Sequence, residues 1–181
     1  MQKIVFNGHS LMYFDTAVAA YWRAMAMPYN DTMAYLDGEL YVRLGTWDEI
    51  GREAPAIRTA VFVQEQQIPA EMEWDAADAS CVHAVAYNRF GMALGTGRLL
   101  EHSPGVAKIG RMAVLQTMRG PKVGRTLLDA LVQCARQRGE REVLLHAQMS
   151  AAGFYTRAGF AARGSPFDEA GIAHLEMVRA L

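Results

Sequence analysis

The stretch from Ile109 to Leu128 limits what this chain can fold into more than any other. It reads Ile-Gly-Arg-Met-Ala-Val-Leu-Gln-Thr-Met-Arg-Gly-Pro-Lys-Val-Gly-Arg-Thr-Leu-Leu. A strand runs into a tight loop and a helix follows at once. The helix places Val123, Leu127, Leu128, Leu131, Val132 and Ala135 on one face and is predicted to stop at Gly139. A helix start presents unpaired N–H donors and the positive end of the helix dipole. Gly120 and Gly124 let a ligand approach the backbone, and Arg119, Lys122 and Arg125 surround it with cations. That combination suits a diphosphate. Taken alone, it leaves a plain strand-to-helix turn open as the alternative. A P-loop does not fit. It needs four residues between its glycines, then Lys and Ser or Thr, whereas three separate Gly120 from Gly124 and Arg125 stands in the lysine's place.

Around this stretch, strands and helices alternate, which predicts a mixed α/β fold with a central sheet. Leu40–Leu44 reads as a strand. Thr46 and Glu49 form a capping box for a helix running toward Gln66, kinked or restarted at Pro55. After an acidic loop come strands at Val82–Tyr87, Ala93–Leu100 and Lys108–Leu115. Beyond the long helix, Val143–His146 is a buried strand and Ala151–Ala158 a short helix, and closing strands fit Ala161–Arg163 and Ala173–Val178. The first 39 residues differ in character. Asn7-Gly8 and Asp37-Gly38 are hairpin signals between apolar runs, and Val18, Trp22 and Met25 recur at helical spacing behind Asp15, a plausible cap. The expected division is therefore an N-terminal extension, 1–39, and a catalytic or binding domain, 40–181.

The bulk numbers narrow the function. A net charge of −1 gives no global field for nucleic acid or an anionic membrane, and Asp15 and Arg23 interrupt the most apolar N-terminal segment. Two cysteines, Cys81 and Cys134, suit a reducing compartment, so the expected location is the cytoplasm. No His or Cys pattern has metal-ligand spacing, and no metal is expected.

The loop Arg119-Gly120-Pro121-Lys122-Val123-Gly124 resembles the pyrophosphate loop Arg/Gln-x-x-Gly-x-Gly/Ala of the GNAT acetyltransferases, with Lys122 in place of the middle glycine. Phe154-Tyr155-Thr156-Arg157-Ala158-Gly159-Phe160 is similar to their C-terminal Phe-Tyr-x-x-x-Gly-Phe helix. Arg58, Val61-Phe62-Val63, Glu65-Gln66, Pro69, Asp75, His83, Gly110-Arg111 and Ala147-Gln148 resemble the ElaA-like branch. The likeness covers Leu40 to the C-terminus. It implies a mixed sheet of six or seven strands, flanked by helices, whose fourth and fifth strands splay apart around acetyl-coenzyme A. Pantetheine would then pair with Met112, Ala113 and Val114 and touch Gln148, and the diphosphate would rest on Arg119 to Arg125.

The same resemblance implies an enzyme that acetylates the amine of a small molecule by direct attack. Tyr155 matches the family's general acid, beside the coenzyme A sulfur. His174 matches the base of the glyphosate acetyltransferases, and imidazole chemistry suits that task. His83, His146, or water held by Glu65 or Asp75, are alternative bases. Arg111 and Arg58 would suit an anionic acceptor, whereas the acidic loop Glu71–Asp78 would greet a cationic one. Two other outcomes stay open: a non-catalytic acyl-coenzyme A sensor, and a homodimer built through the N-terminal hairpins.

Overall fold

A computed structural model describes residues 2–5, 11–14, 35–37, 40–50, 52–120 and 122–181. The turn at Asn7-Gly8, the helix around Trp22 with its Asp15 cap, Gly38 and Pro121 lie outside the described residues. The chain divides into two compact units, Met1–Asp31 and Thr32–Leu181. In the first, β1 (Gln2–Val5) and β2 (Leu11–Phe14) pair antiparallel, Val5 opposite Leu11.

The second unit is built on one sheet. Its strands are β3 (Tyr35–Asp37), β4 (Leu40–Gly45), β5 (Val82–Asn88), β6 (Ala93–Ser103), β7 (Val106–Val114), β8 (Glu142–Gln148), β9 (Ala161–Glu169) and β10 (Ile172–Ala180), in the order β3-β4-β5-β6-β7-β8-β10-β9. β3, which the sequence grouped with the extension, adds an eighth strand to the six or seven expected. Among the described strands only β7 and β8 run parallel, because helix α4 (Val123–Gln137) carries the chain back between them.

Both faces are covered over the middle of the sheet. Side chains alternate along a strand, and β5 shows the result: Ala84 and Ala86 join the core under α4, whereas Val85 and Tyr87 pack on the other side. There they meet α1 (Trp47–Ile50), α2 (Glu53–Arg58) and the π-helical turn Thr59–Glu65 that continues α2. Two further helices are short, α3 (Ala70–Glu73) and α5 (Ala152–Arg157). The Thr46 N–H donates to Glu49 Oε2 at 2.7 Å, as a capping box requires, but the hydroxyl of Thr46 also donates to that carboxylate. Pro55 falls in the first turn of α2, where its missing N–H costs nothing. The long helix stops at Gly139, whose φ of +80° suits glycine.

The last hairpin differs most from expectation. β9 runs to Glu169 rather than to Arg163, with Arg163 opposite Glu176 and Phe167 opposite His174. Residues 164–166, Gly-Ser-Pro, bulge between those pairs, so their turn-like composition interrupts a ladder instead of ending a strand.

Close approach of α4 to β6 depends on two glycines. A Cβ at Gly95 would lie 2.8 Å from the backbone oxygen of Ala113 and 2.9 Å from Leu127. One at Gly97 would meet the flexible end of Met112 at 2.6 Å and Leu131 Cδ1 at 2.8 Å. Backbone yields less readily than the tip of a methionine. Gly95→Ala is therefore expected to destabilise the fold by about 1–3 kcal/mol and Gly97→Ala by less. Urea unfolding of the two variants checks the order.

Candidate active site

β7 and β8 are hydrogen-bonded only from Val106↔Glu142 to Ile109↔Leu145. Beyond that point they part, so Gly110–Val114 of β7 and His146–Gln148 of β8 border a gap. Met112, Ala113 and Val114 thus stand along one bank, and Gln148 ends the other. On its far side β7 stays paired to β6, from Arg98↔Gly110 to Gly95↔Val114, with an irregularity: Thr96 faces Ala113 and Arg98 faces Gly110, so Met112 and Arg111 together oppose Gly97. This bulge puts Arg111 at φ +52°, a left-handed conformation that costs a non-glycine residue energy. A ligand in the gap would meet backbone groups that no strand of the sheet occupies.

The loop after β7 leads to α4. Lys122 stands at its cap position, and a lysine has no acceptor with which to cap the first turn. Arg119 donates through Nε to Val114 O at 3.0 Å and through both terminal nitrogens to Glu65 at 2.6 Å. Arg125 pairs with Asp129 at 2.7 Å. A Cβ on Gly124 would sit 3.6 Å from the Phe154 ring, so the helix start lies against the Phe-Tyr helix α5. Gly120 has open space around it, and Val123 is buried in the core. A cavity of about 380 Å³ opens beside the loop, between Ala60, Gln64 and Glu65 on one wall and Leu115 to Thr117 on the other.

Tyr155 is 8% exposed, with the Phe154 and Phe160 rings 4.9 and 6.0 Å away. Burial pushes its phenol up to about 12, so it holds its proton at neutral pH. His174 lies opposite Gln148 on β8 and Phe167 on β9. Its Nδ1 is 2.8 Å from Ile172 O. A carbonyl can only accept, so in the neutral ring Nδ1 carries the hydrogen and Nε2 the lone pair.

The remaining candidates are drawn into an ion network. Arg58, 1% exposed, donates to Glu73 at 2.5 Å and to Asp78 at 2.7 Å, and lies over the Trp74 ring at 4.6 Å. Arg98 donates to Asp78 and Asp75, both at 2.7 Å. Arg111 reaches Asp75 and Glu73, both at 3.3 Å. His83, 1% exposed, donates Nε2–H to Asp78 O at 2.8 Å, and burial lowers its pKa. Arg58 and His83 thus sit inside the protein on internal partners, away from any acceptor in solvent. His146 is elsewhere, between Glu169 at 3.2 Å and Lys108 at 3.3 Å.

Sequence reasoning passed over Arg98 and the burial of Glu73 and Asp78. The signal was available: an arginine inside the small, apolar run Ala93–Leu100 needs an acidic partner, and four carboxylates stand nearby in sequence. Among the described residues no cluster of His, Cys, Asp and Glu could hold a metal ion, and no helix is long and apolar enough to cross a membrane.

The family described as Acetyltransferase (GNAT) domain matches residues 48–181. The uncharacterized N-acetyltransferase YjcF of Bacillus subtilis is 34% identical over 129 residues, 71% of this chain and 91% of its own. An acyl-CoA N-acyltransferase from Pseudomonas aeruginosa superposes with a TM-score of 0.69 at 31% identity, over 78% of this chain and 99% of that one. ElaA of Escherichia coli is 29% identical over 127 residues, 68% of this chain and 82% of its own, and its crystal structure superposes with a TM-score of 0.68.

The network has a pH signature. Burial works against ionised Asp78, but hydrogen bonds from Arg58 and Arg98 outweigh it and hold the carboxyl below its usual range. Arg98 does the same for Asp75. Carboxyls depressed on folding contribute stability above their unfolded pKa, near 3.9, and lose it as pH falls through the folded values. Burial raises Glu73, which works in the opposite sense. Stability is therefore expected to drop below about pH 4, and Asp78→Ala to cost about 3–5 kcal/mol by leaving buried Arg58 and Arg98 with only Glu73 and Asp75 to balance them. Denaturant titrations across pH check both.

Proposed function

Because the chain belongs to the GNAT acetyltransferase family and its relatives include acyl-CoA N-acyltransferases, we propose that it transfers an acetyl group from acetyl-coenzyme A to the amine of a small molecule. The parting of β7 and β8 beside a cation-lined helix start is the observation that carries this reading. The gap offers an unpaired backbone edge, along which an extended pantetheine arm would lie at Met112–Val114. Arg119, Gly120, Lys122, Val123, Gly124 and Arg125, with Pro121, would hold the diphosphate by charge and by N–H groups at the start of α4.

In this reading the amine attacks the thioester carbonyl. The carbon–sulfur bond breaks, and the thiolate must gain a proton while the amine loses one. Tyr155, kept protonated by burial, supplies the first. His174 takes the second through Nε2, which in the neutral ring carries the lone pair when Nδ1–H donates to Ile172 O. No metal takes part. Glu65 and Asp75 are tied to arginines, which favours His174 over a water they would hold. Arg111, partly exposed beside Asp75, is placed to meet an acceptor's charged group. A sensor that binds acyl-coenzyme A without turnover is the second reading, and the presence of both Tyr155 and His174 favours the enzyme.

Acetyl-coenzyme A at 100 times its dissociation constant is expected to stabilise the fold by about 2.7 kcal/mol; ATP at the same concentration should do much less. Strong stabilisation by ATP alone in thermal unfolding would exclude the assignment. An amine library, followed by release of free thiol, tests turnover. With an acceptor in hand, Tyr155→Phe should cut kcat by about 10²–10⁴-fold and leave cofactor affinity intact. His174→Ala should lose a similar factor and regain part of it with added imidazole. A variant as active as the parent would remove that residue from the chemistry.

A further inference from the structure

Two consecutive residues at the end of the π-helical turn reach both banks of the gap. Glu65 grips Arg119, on the loop that follows β7, with one carboxylate oxygen on each terminal nitrogen at 2.6 Å. Gln66 Oε1 accepts from Gln148 Nε2, at the end of β8, at 2.9 Å. In sequence Gln66 and Gln148 are far apart, and the β7–β8 ladder ends at Ile109↔Leu145, short of this end of the sheet. Consecutive side chains on a helix point in different directions, so residues 65 and 66 can serve different banks.

The local backbone holds them there. Gln66 N–H donates to Val61 O at 3.0 Å, the wide i to i−5 spacing of a π-turn. Gln67 then adopts φ +58° and donates its side-chain amide to Gln64 O at 2.6 Å, and Ile68 N–H returns to Phe62 O at 2.9 Å. A rare helix type followed by a left-handed glutamine is costly backbone, and such cost gathers where geometry matters for a ligand. The Glu65–Arg119 pair that this backbone presents is solvent-exposed, beside the gap rather than in the core. The cavity between Gln64–Glu65 and Leu115–Thr117 opens at the same place.

We propose that Glu65 and Gln66 are positioning residues that set the two ends of the acyl-coenzyme A site separately. Gln66 occupies the N–H side of the Gln148 carboxamide. The carbonyl Oε1 of Gln148 is thereby turned to accept from an amide N–H of pantetheine. Glu65 and Val114 O fix the guanidinium of Arg119 through three of its five N–H donors, and two remain for a phosphate. This inference rests on the acyl-coenzyme A reading given above.

The test titrates coenzyme A and pantetheine, which lacks the phosphates, onto the full chain and onto Gln66→Ala, Gln66→Glu and Glu65→Gln. Melting curves without ligand establish that each variant is folded. Gln66→Ala should weaken both ligands by one common factor, about 5–10-fold for one hydrogen bond. Gln66→Glu keeps an oxygen facing Gln148 Nε2 and should restore both, which a merely structural change would not do. Glu65→Gln should weaken coenzyme A several-fold and spare pantetheine. The proposal is overturned if Gln66→Ala binds both ligands like the parent, if Gln66→Glu binds as poorly as Gln66→Ala, or if Glu65→Gln weakens both equally. A parent chain that binds neither ligand removes the acyl-coenzyme A reading and this inference with it. A parent that binds both while the variants match it removes the inference alone.

Discussion

The carboxylate of Asp78 accepts at one oxygen from Arg58 on α2 and from Arg98 on β6, each at 2.7 Å. Neither arginine could be buried without an opposite charge, and the residual field of two cations would be costly with one carboxylate alone. Glu73 and Asp75 complete the balance and extend it to Arg111. The segment between the π-helical turn and β5 is therefore held by charge more than by apolar burial. It brings Asp75 onto the strand opposite Gly110 and onto the bulge itself. A hydrophobic replacement could hold the segment as well, but it would not reach out to an arginine at the rim of the gap.

That placement matters because β7 is strained where it is most exposed to a ligand. The bulge at Arg111 gives β7 one residue more than β6, re-aiming the strand just as its partner β8 diverges. One side of β7 is thus anchored to β6 while the other is left with open hydrogen-bonding groups. Arg111 is fixed from two directions, by its backbone in the ladder and by its guanidinium on Glu73 and Asp75. An over-determined residue of this kind can keep an unfavourable φ that an isolated strand would relax.

Much of this was legible in the sequence, for reasons that differ by element. The strand, the loop and α4 announce themselves because their chemistry is local: a 3.6-residue apolar period, glycines, and cations in a short window. Tyr155 and His174 could be singled out only through the resemblance, since a tyrosine on an amphipathic helix and a histidine on a strand carry no local mark. Arg58 was visible as a charge, yet its burial was not, because burial depends on Glu73 and Asp78 folding over it. The bulge at Arg111 and the π-turn at Thr59–Glu65 left no trace in hydrophobic spacing. Both are single-residue departures from a ladder, and tertiary pairing decides them. β9 was cut short at Arg163 because Gly164-Ser165-Pro166 has the composition of a turn, although the ladder resumes at Phe167.

That interruption has a consequence for the outer edge of the sheet. β9 ends the strand order, and its nine residues are mostly exposed. A flat edge of that length is a template on which another chain can add a strand and begin to aggregate. Gly164 bends it at φ +76°, and Pro166 lacks the N–H that an incoming strand would need. What remains are two runs of three residues, too short for a stable ladder. The same three residues that conceal the second half of β9 from a reader of the sequence also conceal it from other molecules.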